Sequence, residues 1–218
     1  MGYIEQTKVL AEYLNFLRNS DILTTTVRGV TTTSDTKTTA ATGAETFTLT
    51  HLGVKNIRSI TYDGSTIYNV KDYTINLDSN QVTLLSVVPG KTVVISYDYG
   101  TGDRIYPDYP RTDISISKFP RIGFGIYGFR SEVAGFGNVL KSTWRFDVRV
   151  YATSQKQADE LTDSIRSKNI AAYVSLNYCN RIYPEATRDL GLMELEKGKD
   201  KIYVKGLDII VINEYEIN

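Results

Sequence analysis

One long alternating stretch constrains the fold of this chain more than any other feature. Between positions 139 and 152, largely apolar residues at even positions alternate with polar or charged residues at odd positions. A period of two places the two sets on opposite faces of a β-strand. The run is about twice the usual strand length of roughly 5–6 residues. The sequence therefore predicts a long strand with one apolar face that a second layer must cover.

A helix is predicted directly after this strand. Ser154 and Gln157 match the Ser-x-x-Gln capping box that starts many helices. An amphipathic helix that follows a half-buried strand can bury its apolar stripe on the apolar face of that strand. The residues that we expect to meet in this core are Trp144, Phe146, Val148, Val150, Leu161 and Ile165.

The composition excludes several broad classes of protein. Lys plus Arg equals Asp plus Glu, at 25 each, so the total charge does not favour nucleic acid or acidic lipid. The one cysteine, Cys179, excludes an intrachain disulfide framework. No apolar run has the length of a membrane helix, and the first residues lack a signal-peptide layout. We therefore expect a protein made in the cytoplasm, with no membrane partner.

The first part of the chain combines a helix with a threonine-rich segment. Residues 3–19 carry apolar side chains at helical spacing, so a first helix is predicted there. Threonine is β-branched and disfavours helix, so residues 22–30 are predicted to form a strand. Residues 31–43 have little apolar surface to pack and are interpreted as an extended linker.

A run of short strands with turn signals follows over residues 45–99. Asp63-Gly64 is a strong hairpin turn, and strands recurring every 8–12 residues indicate a small antiparallel sandwich. We interpret residues 44–102 as a module inserted into a main domain of residues 1–43 and 103–218. The predicted fold class is α+β: an antiparallel or mixed sheet with two packing helices, plus an inserted small all-β sandwich module.

Strand patterns in the rest of the main domain are clear in some segments and absent in others. A short strand is expected at 114–118 and a glycine-punctuated strand at 121–131. Residues 202–215 are apolar at both odd and even positions, which is typical of a strand covered on both faces. Residues 171–200 give no clear pattern, except that residues 192–195 could form a short strand.

Candidate reaction centres are few, and each has a structural interpretation. His51 and Cys179 would have to meet across two domains to form a nucleophile pair, and two such ligands cannot close a structural zinc site. Residues 123–128 match Gly-x-Gly-x-x-Gly, but no helix follows and bulky side chains stand between the glycines. We therefore predict no catalytic residue, no metal and no cofactor, and a protein that is not an enzyme.

Three groups of residues are candidates for interactions. Aromatic residues in the glycine-punctuated hairpin exceed what the strand core needs, so they are predicted to form a subunit interface: Phe124, Tyr127, Phe129 and Phe136. Cations on the polar face of the long strand could touch phosphate or form a solvated face: Lys141, Arg145 and Arg149. Tyrosines on the module surface could contact a partner: Tyr62, Tyr68 and Tyr73.

Several segments resemble known virion proteins. Residues 62–64, 71–75 and 93–99 are similar to small β-sandwich modules of tailed-phage structural proteins. Residues 119–122, the strand at 144–151 and the helix at 154–167, with its Gln-Ala-Asp-Glu-Leu segment at 157–161, resemble tail-terminator and tail-completion proteins of the head–tail connection. This second resemblance covers about residues 112–170, together with the first helix and the last strand.

The resemblance implies a function and its partners. A protein of this family forms a homo-oligomeric ring, usually a hexamer, that caps the tail tube and joins it to the neck. Its partners are other neck and tail-tube proteins, and genomic DNA passes through the lumen, which Lys141, Arg145 and Arg149 would face. The alternatives are a monomeric β-sandwich module that recognises sugar or protein through Tyr62, Tyr68 and Tyr73, and a hydrolase with an unrecognised site.

Overall fold

The computed structural model describes residues 6–67, 72–109, 115–133, 139–172, 181–195 and 200–216. It divides into a main unit, Met1–Ile22 with Arg104–Asn218, and a module, Leu23–Asp103. The predicted α+β class is confirmed. None of the described helices is long and apolar enough to cross a membrane.

The elements follow one another in this order. They are α1 (Gln6–Asn19), α2 (Thr25–Arg28), β1 (Thr31–Thr38), β2 (Gly43–Thr48), β3 (Val54–Tyr62), β4 (Ser65–Ile67), β5 (Tyr73–Asn76), β6 (Gln81–Val87), β7 (Thr92–Tyr99), β8 (Ile105–Tyr106), β9 (Arg121–Val133), β10 (Val139–Ala152), α3 (Gln155–Ala171), β11 (Arg181–Glu194) and β12 (Lys201–Glu216).

The main unit is built on a five-stranded sheet in the order β11-β12-β10-β9-β8. The four long strands pair antiparallel, and only the short β8 runs parallel to its neighbour β9. Helix α3 contacts β10, β11 and β12, and helix α1 contacts β8. The Lys205–Asp159 ion pair joins β12 to α3. Because Lys205 lies opposite Val150, the helix covers the sheet face that carries the even-numbered residues of β10.

The predicted strand–helix unit is present. Trp144, Phe146, Val148 and Val150 are buried, as is Ile165 of α3, while Leu161 is half-buried. The Ser154 hydroxyl accepts a hydrogen bond from the Gln157 backbone N–H at 3.3 Å, so the helix begins where the capping pattern predicts. Burying four large apolar side chains of one strand stabilises the unit by roughly 1.5–3 kcal/mol per side chain.

The module is a sandwich of two antiparallel sheets, β1-β7-β3-β4 and β2-β6-β5. The predicted hairpin turn is confirmed, since Asp63 and Gly64 both have positive φ, 50° and 82°. A buried charge cluster lies at its α2 end. The Arg28 guanidinium donates to Asp98 Oδ2 at 2.9 Å, and Asp98 Oδ1 also accepts from Thr32 at 2.6 Å and from Arg58 at 2.7 Å.

The predicted linker at 31–43 is wrong, and the module starts earlier than the sequence indicates. Strand β1 pairs with β7 along its whole length, from Thr31 opposite Tyr99 to Thr38 opposite Thr92. Residues 25–28, expected within a strand, form the short helix α2. A threonine-rich segment with few apolar side chains is ordered here by backbone hydrogen bonds to a neighbouring strand, which local composition does not report.

Two segments of the main unit differ from the prediction. Residues 116–118, expected in a strand, form a 3₁₀ turn, and the parallel strand next to β9 is β8. The segment without a clear pattern contains the 14-residue strand β11, which pairs with β12. Its register shifts at Pro184/Ala186 and at Asp189/Gly191. These bulges break the period of two that would reveal a strand.

Candidate interaction surface

The sheet face opposite the helices is charged, and we call it the charged face. It carries the odd-numbered residues of β10, including Arg145, Asp147 and Arg149, with Asp208 of β12 opposite Asp147. Ile210 and Ile212 of β12 point to the same face and are buried. Strand β12 is therefore buried on both sides, as its apolar pattern predicts.

Asp147 is the centre of a hydrogen-bonded cluster on the charged face. Its carboxylate, whose side chain is 8% exposed, accepts from Arg149 Nε at 2.7 Å, from Arg188 Nη2 at 2.8 Å and from the Tyr109 hydroxyl at 3.1 Å. Arg188 also pairs with Asp208 at 2.7 Å. Two arginines and two aspartates balance in formal charge, so the cluster connects β10, β11 and β12 without a net charge.

The same cluster shifts the ionisation of its members. Burial, followed by the negative charge of Asp147, raises the pKa of Tyr109 to about 12. Burial alone would lower the pKa of Arg149, but the hydrogen bond and charge of Asp147 outweigh it and raise that pKa. The Arg149 guanidinium lies 4.3 Å from the centre of the Tyr109 ring. These groups hold their ordinary protonation states more firmly, which suits a structural contact better than proton transfer.

The glycines of β9 admit the chain's own backbone and side chains. A Cβ at Gly123 would lie 2.4 Å from the Asp108 carbonyl oxygen, and one at Gly125 would lie 3.2 Å from the Tyr109 hydroxyl. Segment 108–109 therefore crosses the charged face where β9 has no side chains. This close approach explains Gly123 and Gly125 without a bound phosphate, and a Cβ at Gly128 would lie 3.3 Å from the Arg145 side chain.

The three cations predicted to face DNA lie on the charged face, and each has a carboxylate partner. Lys141 lies 3.5 Å from Glu132, Arg145 lies 3.0 Å from Glu185, and Arg149 bonds Asp147. A hydrogen bond with Tyr127, followed by the charge of Glu185, raises the pKa of Arg145. The sequence shows the cations but not all of their partners, because Glu132 lies on the neighbouring strand β9 and Glu185 lies on β11, beyond β12. Contact with DNA stays a prediction.

The residues predicted to form an aromatic interface differ in how far they are buried. Phe124 is fully buried, with its ring 5.3 Å from Tyr13 and 6.0 Å from Phe146, so its assignment to a surface is wrong. Tyr127 and Phe129 are 54% and 46% exposed, although the Phe129 ring also packs at 4.2 Å on Trp144. Phe136 lies outside the described residues. Helix α1 covers Phe124, and the strand pattern alone does not show how far that helix reaches.

Of the three tyrosines predicted on the module surface, the structure describes two, and neither is fully exposed. Tyr73 is buried in the sandwich core, which corrects its assignment to the surface. Tyr62 is half-buried, and its hydroxyl accepts from the Val88 backbone N–H at 2.9 Å. Tyr68 lies outside the described residues. A strand's period of two places Tyr73 on one face, but only the second sheet of the sandwich decides that this face is inside.

His51 takes part in a hydrogen-bonded chain inside the module. Its ring stacks on Tyr99 at 4.0 Å, and its Nδ1 lies 3.0 Å from the Tyr97 hydroxyl. That hydroxyl donates to Asp35 at 3.1 Å. Burial would raise the pKa of Asp35, but hydrogen bonds from Thr50 and Tyr97 outweigh it and lower that pKa. Cys179, the other residue considered for a nucleophile pair, lies outside the described residues.

Further exposed apolar residues lie on the two outer long strands. On β9, Val133 is 66% exposed. On β11, Tyr183, Leu190 and Leu192 are exposed, and the two leucines line a cavity of about 340 Å³ beside Arg149. The sequence did not identify these β11 residues as a surface because it indicated only a short strand at 192–195, which overlaps the end of β11.

Comparisons with known proteins add no assignment. The chain matches none of the known protein families, and a search of curated proteins gives no match. Within the ranges that the structure describes, no group of three or more His, Cys, Asp or Glu residues is arranged to hold a metal ion.

Proposed function

We propose that this chain is a non-enzymatic structural protein of a tailed phage, of the tail-terminator type. Copies of it would form a ring at the end of the tail tube and join that tube to the neck. DNA would pass through the lumen of the ring. The proposal rests on the resemblance of residues 112–170 and on one structural observation, the two different faces of the main sheet.

The two faces suit a ring subunit. One face completes the subunit's own core through α1 and α3, and the other presents the ordered ion pairs around Asp147. DNA affinity grows with the number of phosphates that cations neutralise. Cations already balanced by carboxylates would neutralise few phosphates, so a face lined by such pairs would let DNA pass through a lumen without holding it.

Exposed apolar residues would supply contacts between neighbouring subunits. Tyr183, Leu190 and Leu192 on β11 are exposed, and apolar residues gathered on one strand are typical of a protein interface. Neighbours in a ring meet through two different surfaces, so such contacts repeat until the ring closes.

Light scattering and electron microscopy of the purified protein test the proposal. We expect a mass several times 24.5 kDa and ring-shaped particles with a central lumen. Leu192→Asp should lower the mass without changing the circular dichroism spectrum, because Leu192 is exposed. Thr187→Asp, on the same strand and also exposed, is the matched control and should leave the ring intact. A protein that stays at 24.5 kDa at all concentrations would contradict the proposal.

A further inference from the structure

The outer edge of β9 is open over most of its length. Strand β8 pairs with β9 only at Ile122 and Gly123. From there to Val133, no strand of the described residues pairs with this edge. The open part contains the exposed Phe129 and Val133 and no proline. An open edge with exposed apolar residues is a template for another strand.

The opposite edge of the sheet is protected against such pairing. Strand β11 contains Pro184 and two bulges, and it carries charged residues along its length. Proline, bulges and charges are the devices that prevent edge-to-edge association. Strand β9 has one bulge, at Tyr127, but no bulge or proline between Phe129 and Val133. The protected β11 edge is therefore a poorer partner for this part of β9 than a second β9 edge is.

The charged and apolar residues near the end of β9 are complementary to the same residues of a second, antiparallel β9 strand. Arg130 and Glu132 lie opposite Thr143 and Lys141, so both point to the charged face. Phe129 and Val133 lie opposite Trp144 and Leu140, so both point to the helix-covered face. Ser131 stands at the midpoint of both pairs.

We propose that β9 pairs antiparallel with β9 of a second copy of this chain, about a two-fold axis at Ser131. Opposing residues of an antiparallel pair share a face with Cβ atoms about 4.5–5.5 Å apart. Arg130 then lies opposite Glu132 of the other copy, and Phe129 lies opposite Val133 of the other copy, each contact occurring twice. The occupant is a second copy because a two-fold axis makes both the charged and the apolar pairs complementary at once.

This pairing goes beyond the proposed ring. Neighbours in a single ring are related head to tail, so the ring itself contains no two-fold contact of this kind. The pairing extends the main sheet of one copy into that of another, with both helix-covered faces on the same side. Its simplest form in solution is a dimer of twice 24.5 kDa.

Self-cross-linking tests the axis directly. Ser131→Cys is introduced in a Cys179→Ser background, so that each chain has one thiol. Two cysteines facing each other across an antiparallel pair meet the Cα separation of about 4.4–6.8 Å that a disulfide needs. We expect mild oxidation to give a covalent dimer at low micromolar protein. Ser164→Cys, at an exposed position of α3 in the same background, is the matched control and should remain a monomer on a denaturing gel.

Charge reversal gives a second and independent test. Arg130→Glu places like charges opposite each other twice and should weaken the dimer about tenfold. Glu132→Arg should have a similar effect. The double variant with both changes restores opposite charges and should return the affinity to that of the parent protein. Equal affinities in all four proteins, measured by sedimentation, would overturn the proposed pairing.

The outcomes separate this inference from the proposed function. A ring that forms while Ser131→Cys cross-links no faster than Ser164→Cys overturns the β9 pairing and leaves the ring. A cross-linked dimer with reversal and rescue, in a protein that forms no ring, supports the β9 pairing and contradicts the proposed function.

Discussion

Replacing Arg28 with methionine tests the buried charge cluster of the module. The Arg28 side chain is fully buried and donates to Asp98 at 2.9 Å, to Asn56 at 2.8 Å and to Asp103 at 3.4 Å. Methionine keeps an unbranched apolar chain but removes the charge and these three hydrogen bonds. Two carboxylates then lose a buried cation, although Arg58 still bonds Asp98 at 2.7 Å.

The expected loss is about 3 kcal/mol of the module's free energy of unfolding. Breaking a buried ion pair by removing one partner costs about 3–5 kcal/mol, and the remaining Arg58 favours the lower end. With a urea m-value of about 1–3 kcal/mol/M, the midpoint should fall by about 1–3 M. Asp98→Asn added to Arg28→Met removes one of the two carboxylates that lose the Arg28 cation, so the double variant should lose less than the sum of the single losses.

The chain provides an internal control for this measurement. Its single tryptophan is Trp144, in the main unit. Far-UV circular dichroism reports both units, whereas tryptophan fluorescence reports only the main unit. Arg28→Met should therefore shift part of the dichroism transition and leave the fluorescence transition in place. Arg166→Met, at an exposed position of α3, should change neither. A loss below about 1 kcal/mol for Arg28→Met would show that the cluster does not hold the module together.

Three further predictions concern the core, the charged face and the module. Trp144→Ala should cost about 3–5 kcal/mol by circular dichroism. Trp144→Phe should cost less, since the buried indole N–H has no hydrogen-bond partner among the described residues; equal losses would contradict the packing argument. The folded pKa of Tyr109, about 12, exceeds the usual value of about 10. The contribution of Tyr109 to the free energy of unfolding is therefore complete below pH 10 and lost as the pH rises towards 12. Tyr109→Phe should remove this part of the loss of stability at alkaline pH, measured by unfolding at increasing pH. An unchanged dependence of stability on pH would show that Tyr109 does not cause the loss. Replacing residues 23–103 with a short Gly/Ser linker should leave the Trp144 fluorescence transition cooperative, and a broad transition would show that the module is integral.

Local sequence patterns determined the parts of the fold whose causes are local. The alternation along β10 follows from one face being buried, and Ser154 caps α3 through its own hydroxyl. The Asp63-Gly64 turn depends on two residues that tolerate positive φ. These features were predictable because the residues that cause them lie within a few positions of the structure that they form.

Only the tertiary structure decided which segments become edge strands and which side chains lie inside. Strands β1 and β11 exist because β7 and β12 offer them backbone hydrogen bonds, and neither segment has a strong strand pattern of its own. Phe124 and Tyr73 are buried because a helix and a second sheet cover them. Arg145 of β10 is paired by Glu185 of β11, and Arg188 of β11 is paired by Asp147 of β10, although β12 lies between these two strands. Each outcome depends on residues far apart in the chain, and a single sequence does not state which distant residues meet.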